Sequence, residues 1–294
     1  MSKPNIDKTA KVDKNACLEE GVSIGPYAIV EEKVHLAKGV SVGAHAQIKG
    51  NSYLGENSSV GTGAVIGEVP QMLGMRQTKG KLYIGKNNII REYVTIHTAT
   101  KENCSTTIGD NNFLMGFSHV AHDCKLADNI VVCNGSLLAG CVEVGKGAFI
   151  SGCVVVHQFV RVGKLAMVGG LSRVNQDVAP FMMVVGDSRV WGINLVGLRR
   201  ASFPRAEIKK IKQAYKILYR KGLSLKKAIS ELESVDSEKV KEIYLFILSS
   251  KRGISGPKKS SLWEKIFLDY PYFVRSKILT YDRFLESRKN KKCL

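Results

Sequence analysis

Aliphatic residues recur at every sixth position through most of the first 174 residues. Ile6, Val12, Leu18, Ile24, Val30, Leu36, Val42, Ile48, Leu54, Val60 and Ile66 keep the phase; Ile84, Ile90 and Ile96 resume it after a break, and an Ile, Leu or Val then occupies every sixth residue from Ile108 to Val174. Only positions 72, 78 and 102 depart. An amphipathic helix repeats near 3.6 residues and a half-buried strand repeats at two, so neither accounts for six. A parallel β-helix does: each hexad supplies a short strand and a tight turn, and three hexads close a triangular coil of about 18 residues. Glycine often follows the aliphatic, as at Gly25, Gly43, Gly61 and Gly145, where a corner needs positive φ or close backbone approach.

The interruptions are read as loops thrown out of the coil, over residues 67–83 (GEVPQMLGMRQTKGKLY) and 98–107 (TATKENCSTT). Loops on a rigid scaffold commonly carry function. From Ser202 the period changes. Ser202 is placed as an N-cap ahead of Pro204, with Ile208, Ile211, Tyr215, Leu218 and Tyr219 at helical spacing; GLSLKKAISELE and VDSEKVKEIYLFILSS supply two more helices. The expected fold is all-β, a single-stranded parallel β-helix of hexapeptide repeats followed by a small α-helical C-terminal domain. Its segments are 1–198, 199–255 and a basic C-terminal extension, 256–294.

If one coil takes about 18 residues, positions that far apart stack at the strand spacing of about 4.8 Å. His122, Gly140 and Gln158 then form one column, with Asp123, Cys141 and His157 beside it and His119 on the same coil. His35, His45 and His97 fall outside that column. An imidazole, a carboxylate to orient it and an unhindered glycine N–H suit acyl transfer, in which a hydroxyl is deprotonated and an oxyanion held. A solvated or structural histidine is the competing reading.

Composition narrows the field. Lys and Arg number 44 against 26 Asp and Glu, a net charge of +18, which points to an acidic partner or surface. No nucleic-acid recognition motif accompanies the charge. No stretch reads as a signal peptide or a membrane span, so the cytoplasm is the expected compartment. Seven cysteines are scattered without a CxxC pair; neither a disulfide framework nor a metal site is expected. Residues 258–292 hold ten Lys or Arg among aromatics, read as a helical extension, with peripheral contact to an anionic membrane as the alternative.

The segments SHVAHDC (118–124), LAG (138–140), VHQF (156–159), VGKLAMVGG (162–170), GINLVGLRR (192–200) and SKRGI (250–254) resemble the UDP-N-acetylglucosamine O-acyltransferases of lipid A biosynthesis. The resemblance implies a left-handed coil and a homotrimer with sites between subunits. It also implies transfer of a 3-hydroxyacyl chain from acyl carrier protein to the sugar 3-hydroxyl, with the acyl carrier thioester as co-substrate and no cofactor. It assigns His122 as general base, Asp123 as its support and Gly140 as oxyanion donor. His119, His157 and Gln158 are assigned to the sugar and acyl group, Gly170 to the acyl-chain ruler, and Asn194 and Arg200 to the uridine diphosphate. The chain departs from the family pattern at Met72 and Gly74, where an aspartate and a lysine are usual, and at Cys141, Val196 and Ala201. These departures bear on substrate preference more than on the base. Alternative readings are a hexapeptide acyl- or acetyltransferase acting on another nucleotide sugar, a 3-amino sugar included, and a non-catalytic relative that has kept only the prism.

Overall fold

A computed structural model describes residues 3–257; the basic extension considered above lies, but for its first two residues, outside the described residues. From Asn5 to Val174 the chain winds as a three-sided prism. Its faces, parallel throughout the coil, belong to sheets of twelve, nine and eight strands, called here the first, second and third faces; the last three strands of the twelve lie beyond Val174. Most strands are two residues long, and the second residue of each is the hexad aliphatic. Ile24 pairs with Val42, 18 residues on, and Val132 pairs with Ile150 at the same interval. Leu36, Ile48, Leu54, Ile66, Ile84, Ile96, Leu114 and Leu138 are fully buried. Each contributes about 2 kcal/mol by removal from water. Ile6 stays exposed because the first coil has no neighbour on one side, the usual condition of a terminal repeat.

The inserted loops are shorter than the sequence suggested. Lys81–Ile84 and Ser105–Ile108 are four-residue strands that pair along the third face, so only residues 69–80 and 98–104 leave the coil. The insertions stretch the stacking interval to 30 residues between Val60 and Ile90 and to 24 between Ile90 and Leu114.

Positive φ at the corners is carried largely by residues other than glycine, including Tyr27, His45, Phe117, Asp123 and Cys141. The glycine after the aliphatic serves another need. A Cβ on Gly61 would lie 2.6 Å from the carbonyl carbon of Arg91 and the nitrogen of Glu92. Backbone packs on backbone at that corner, and no side chain fits.

The coil ends in an antiparallel hairpin, Met182–Val185 with Arg189–Ile193, and among the described residues four helices follow: α1 (Leu195–Arg200), α2 (Arg205–Tyr219), α3 (Leu225–Glu233) and α4 (Glu238–Leu248). The expected 198/199 boundary falls within α1, which periodicity did not reveal because it is too short to show a face. Ser202 is not a helix cap: it has φ +57°, and Pro204 occupies the cap position of α2. Ser224 and Ser237 cap α3 and α4, each accepting from backbone N–H groups of the first turn.

Asp177, 1% exposed, joins the coil to the chain beyond α4. Its carboxylate accepts from the Arg161 backbone N–H at 2.8 Å, from Arg161 Nε at 3.0 Å and from Ser250 Oγ at 2.8 Å. Arg161 also donates to the Phe246 carbonyl and lies 4.4 Å over the Phe246 ring. Asp177→Ala strips three donors of their acceptor and leaves the Arg161 charge unpaired. The expected cost is about 3–5 kcal/mol, read as a lowered urea midpoint with the α4 amides losing hydrogen-exchange protection first.

Candidate active site

His122 and Asp123 are the two turn residues between the strand His119–Val120 on the second face and Lys125–Leu126 on the third. Gly140–Cys141 and Gln158–Phe159 are the same turn in the next two coils. The Cys141 N–H donates to the His122 carbonyl at 2.9 Å and the Phe159 N–H to the Gly140 carbonyl at 3.0 Å, so the column read from the 18-residue interval is present.

The left-handed φ of Asp123, +58°, turns its carboxylate back on its neighbour. Oδ2 lies 2.8 Å from His122 Nδ1. Thr100, brought in by the second inserted loop, donates its hydroxyl to the same oxygen at 2.9 Å, and its backbone N–H lies 3.3 Å from it. Thr106 Oγ1 accepts the Asp123 N–H at 2.8 Å. An ionised carboxylate only accepts, so the imidazole proton belongs on Nδ1 and the lone pair on Nε2. The pair is about one-fifth exposed, enough for a substrate to reach it.

Gly140 lies beneath this ring: a Cβ there would sit 2.5 Å from both Cε1 and Nε2 of His122. On either side the ladder uses the N–H groups of Ala139 and Cys141. The Gly140 N–H has no acceptor among the described residues and remains available as a donor.

His119 is half-buried on the second face, with Nδ1 2.7 Å from Thr95 Oγ1. Its ring meets that of His97 edge to face at 4.7 Å. Burial, and then the neighbouring His122, hold His119 below the usual histidine range. Sequence reasoning left His97 apart because it assumed an 18-residue interval; the second insertion makes the interval 24, stacking Thr95 on His119. Counting from the position-102 break could have found it. Thr100 carried no such signal.

His97 is 2% exposed, and its Nδ1 has no hydrogen-bond partner among the described residues. Burial, reinforced by His119, lowers its pKa from 6.5 to about 4. The unfolded chain therefore binds more protons between those values, and stability falls as pH drops through that window. A thermal midpoint declining from pH 6.5 to 4 is expected, with the slope reduced in His97→Phe; an unchanged slope would assign the acid loss to other groups.

Of the remaining candidates, His157 and Gln158 share the corner of His122, whereas Gly170 and Asn194 stand at the other two corners of the prism. His157 and Gln158 stand one coil beyond Gly140, exposed on the same corner. Gly170 is exposed at the corner between the first and second faces, where a Cβ would meet only the Gly152 carbonyl at 3.4 Å and Ser151 Cβ at 3.9 Å. Asn194 is buried; it caps α1 through the Gly197 N–H and donates to the Leu165 carbonyl at 2.9 Å, at the third corner. Arg200 ends α1. Met72 is exposed in the first loop, and Gly74 takes φ +81°. Cys141 adjoins the dyad, and ligand atoms of His122, Asp123 and Cys141 all lie within 4.8 Å of one another. Burial and the Asp123 charge raise its thiol.

Comparison with known proteins agrees with this geometry. Residues 177–255 match the family described as UDP N-acetylglucosamine O-acyltransferase, domain 2, and residues 105–140 match the bacterial transferase hexapeptide family. The acyl-[acyl-carrier-protein]--UDP-N-acetylglucosamine O-acyltransferase of Aliarcobacter butzleri is 44% identical over 87% of this chain and 99% of its own length. The Gloeothece citriformis protein of that name is 47% identical over 58% of this chain and 63% of its own. Among solved structures, the UDP-N-acetylglucosamine acyltransferase of Francisella novicida superposes with a TM-score of 0.83 at 35% identity, covering 86% of this chain and 95% of that one. The Campylobacter jejuni enzyme superposes with a TM-score of 0.80 at 36% identity, over 86% and 100%. The prism is thus the left-handed parallel β-helix of hexapeptide transferases, and the chain belongs to the UDP-N-acetylglucosamine O-acyltransferase family.

Proposed function

We infer that this chain transfers an acyl chain from acyl carrier protein to the 3-hydroxyl of UDP-N-acetylglucosamine, the first step of lipid A biosynthesis. The observation that carries the mechanism is the Asp123–His122 pair set over Gly140. Asp123 holds the Nδ1 proton, leaving Nε2 to take the proton of the sugar hydroxyl as its oxygen attacks the thioester carbonyl. The Gly140 N–H holds the resulting oxyanion; the tetrahedral intermediate collapses to the ester and expels the carrier thiolate, which the imidazolium reprotonates. The acyl carrier thioester is a co-substrate, and no cofactor enters these steps.

Site residues at three corners of one prism support a homotrimer, in which neighbouring prisms meet and Gly170, Asn194 and Arg200 of one subunit complete the cleft at His122 of another. A run of exposed apolar residues, Tyr93, Phe117, Leu137, Val155 and Leu171, follows the second face and its leading corner, the surface such packing would cover. His119, His157 and Gln158 line the sugar and acyl side. A groove runs from Cys141 and Phe159 toward Lys251 and Arg252 and is lined also by Glu143 and the Arg161–Asp177 pair; Lys251 and Arg252 are the cations that anionic substrates would meet there. Among the described residues no helix is long and apolar enough to cross a membrane, and the free thiols at Cys17, Cys104, Cys124, Cys133, Cys141 and Cys153 suit the reducing cytoplasm.

Loss of a carboxylate and an ammonium at Met72 and Gly74 changes how the sugar is held, so a slower or differently selective enzyme is expected. The test is incubation of the full chain with UDP-N-acetylglucosamine, or its 3-amino analogue, and a panel of 3-hydroxyacyl carrier proteins. Acylated sugar from at least one donor is expected. No product from any donor would sink the reading, and equal transfer to unrelated nucleotide sugars would remove the lipid A assignment.

A further inference from the structure

We propose that His122, Asp123 and Cys141 form a binding site for a zinc-class divalent cation that, when filled, switches the general base off. The site comes from stacking: Cys141 follows Asp123 by one 18-residue coil, beside Gly140, and both cysteine and aspartate occupy the left-handed position of their turns. Three different ligand types thereby converge, with their donor atoms within 4.8 Å of one another. Bound zinc separates its ligands by roughly 3–4 Å, given metal–ligand distances of 2.0–2.3 Å, so the three donor atoms need to draw together by only about 1 Å to share one ion. A thiolate with an imidazole selects zinc or cobalt over magnesium or calcium. Three protein ligands leave a further position open to water.

The inhibition follows from which nitrogen is taken, and rests on the reading of His122 as general base. The carboxylate already faces Nδ1 at 2.8 Å, and a cation entering there replaces the proton shared between them. The thiol proton passes to bulk water, the imidazole proton moves from Nδ1 to Nε2, and the ion sheds hydration waters. Two plus charges meet one carboxylate and one thiolate, so the filled site is neutral. No electron is transferred. The imidazole then carries a proton where its lone pair is needed and cannot accept one from a hydroxyl.

The experiment uses the reduced, chelator-stripped full chain, titrated with cobalt(II) and followed by absorbance, with acyl transfer assayed in parallel in the presence and absence of zinc. Expected are one equivalent of cobalt with a near-ultraviolet thiolate-to-cobalt band, lost in Cys141→Ser and kept in Cys153→Ser, which removes an exposed thiol at another corner of the prism. Zinc lowers turnover of the unaltered chain roughly a hundredfold, the scale of a general base, and its potency drops at least tenfold in Cys141→Ser. A missing band in the unaltered chain, or the same band or zinc sensitivity in Cys141→Ser, overturns the site. If the stripped chain transfers no acyl group from any donor, the acyltransferase reading fails, and the cobalt band still decides the cation site.

Discussion

His122→Ala lowers kcat for acyl transfer by about 10²–10⁴-fold, the contribution of a positioned general base, while KM for the nucleotide sugar changes little. The side chain stands on a turn outside the aliphatic stack and is one-fifth exposed, so its removal opens no core cavity and the thermal midpoint should hold within a few degrees. Asp123→Asn provides the companion measurement. An amide still meets Nδ1 but can present its own N–H there, weakening the hold on the tautomer that leaves Nε2 free. Its kcat therefore falls, and the acidic limb of the rate profile changes, because the imidazolium formed in the reaction has lost its counter-charge. His122→Ala retaining more than a third of normal kcat would remove the imidazole from the mechanism and leave the Gly140 N–H and substrate positioning as the source of rate.

Gly140→Ala is the second large effect. The new Cβ would fall 2.5 Å from Cε1 and Nε2 of His122, well inside contact distance, and the ring is the movable partner. It swings toward solvent and gives up its bond to Asp123, so folding stability changes by less than about 1 kcal/mol. Turnover suffers more, since about 1 Å of displacement at a reacting group costs on the order of 10²-fold. The double variant His122→Ala/Gly140→Ala separates the two ways glycine can matter. If the methyl acts by moving the ring, the double variant is no slower than His122→Ala. An additional loss shows that the methyl also obstructs the thioester carbonyl on its way to the Gly140 N–H.

Much of this was legible in the chain because a hexad repeat is a local rule applied many times. Ile24 to Val42 is one coil, and the same arithmetic stacks His122, Gly140 and Gln158, as the ladder bonds from Cys141 and Phe159 show. Where the rule is interrupted, counting fails. Residues 81–83 and 105–107 read as loop because the hexad aliphatic is missing nearby, yet pairing along the third face extends them into strands. His97 was set apart from His119 by a six-residue error in the interval. Thr100 could not be found, since nothing in TATKENC says which residue a loop lays against a carboxylate one coil away.

By itself the sequence determined the period, the inward row of aliphatics, the corner that carries His122 and Gly140, and the helical character of residues beyond 204. Each follows from neighbours in the chain or from an unbroken repeat. Only the tertiary structure decided that the His122 ring covers Gly140, that Thr100 and Thr106 secure Asp123, that the Asn194 amide meets the Leu165 carbonyl, and that His97 is buried against His119. Those outcomes depend on side-chain direction and on where an insertion returns to the coil. They are set by packing between turns 15–30 residues apart, which no local pattern encodes.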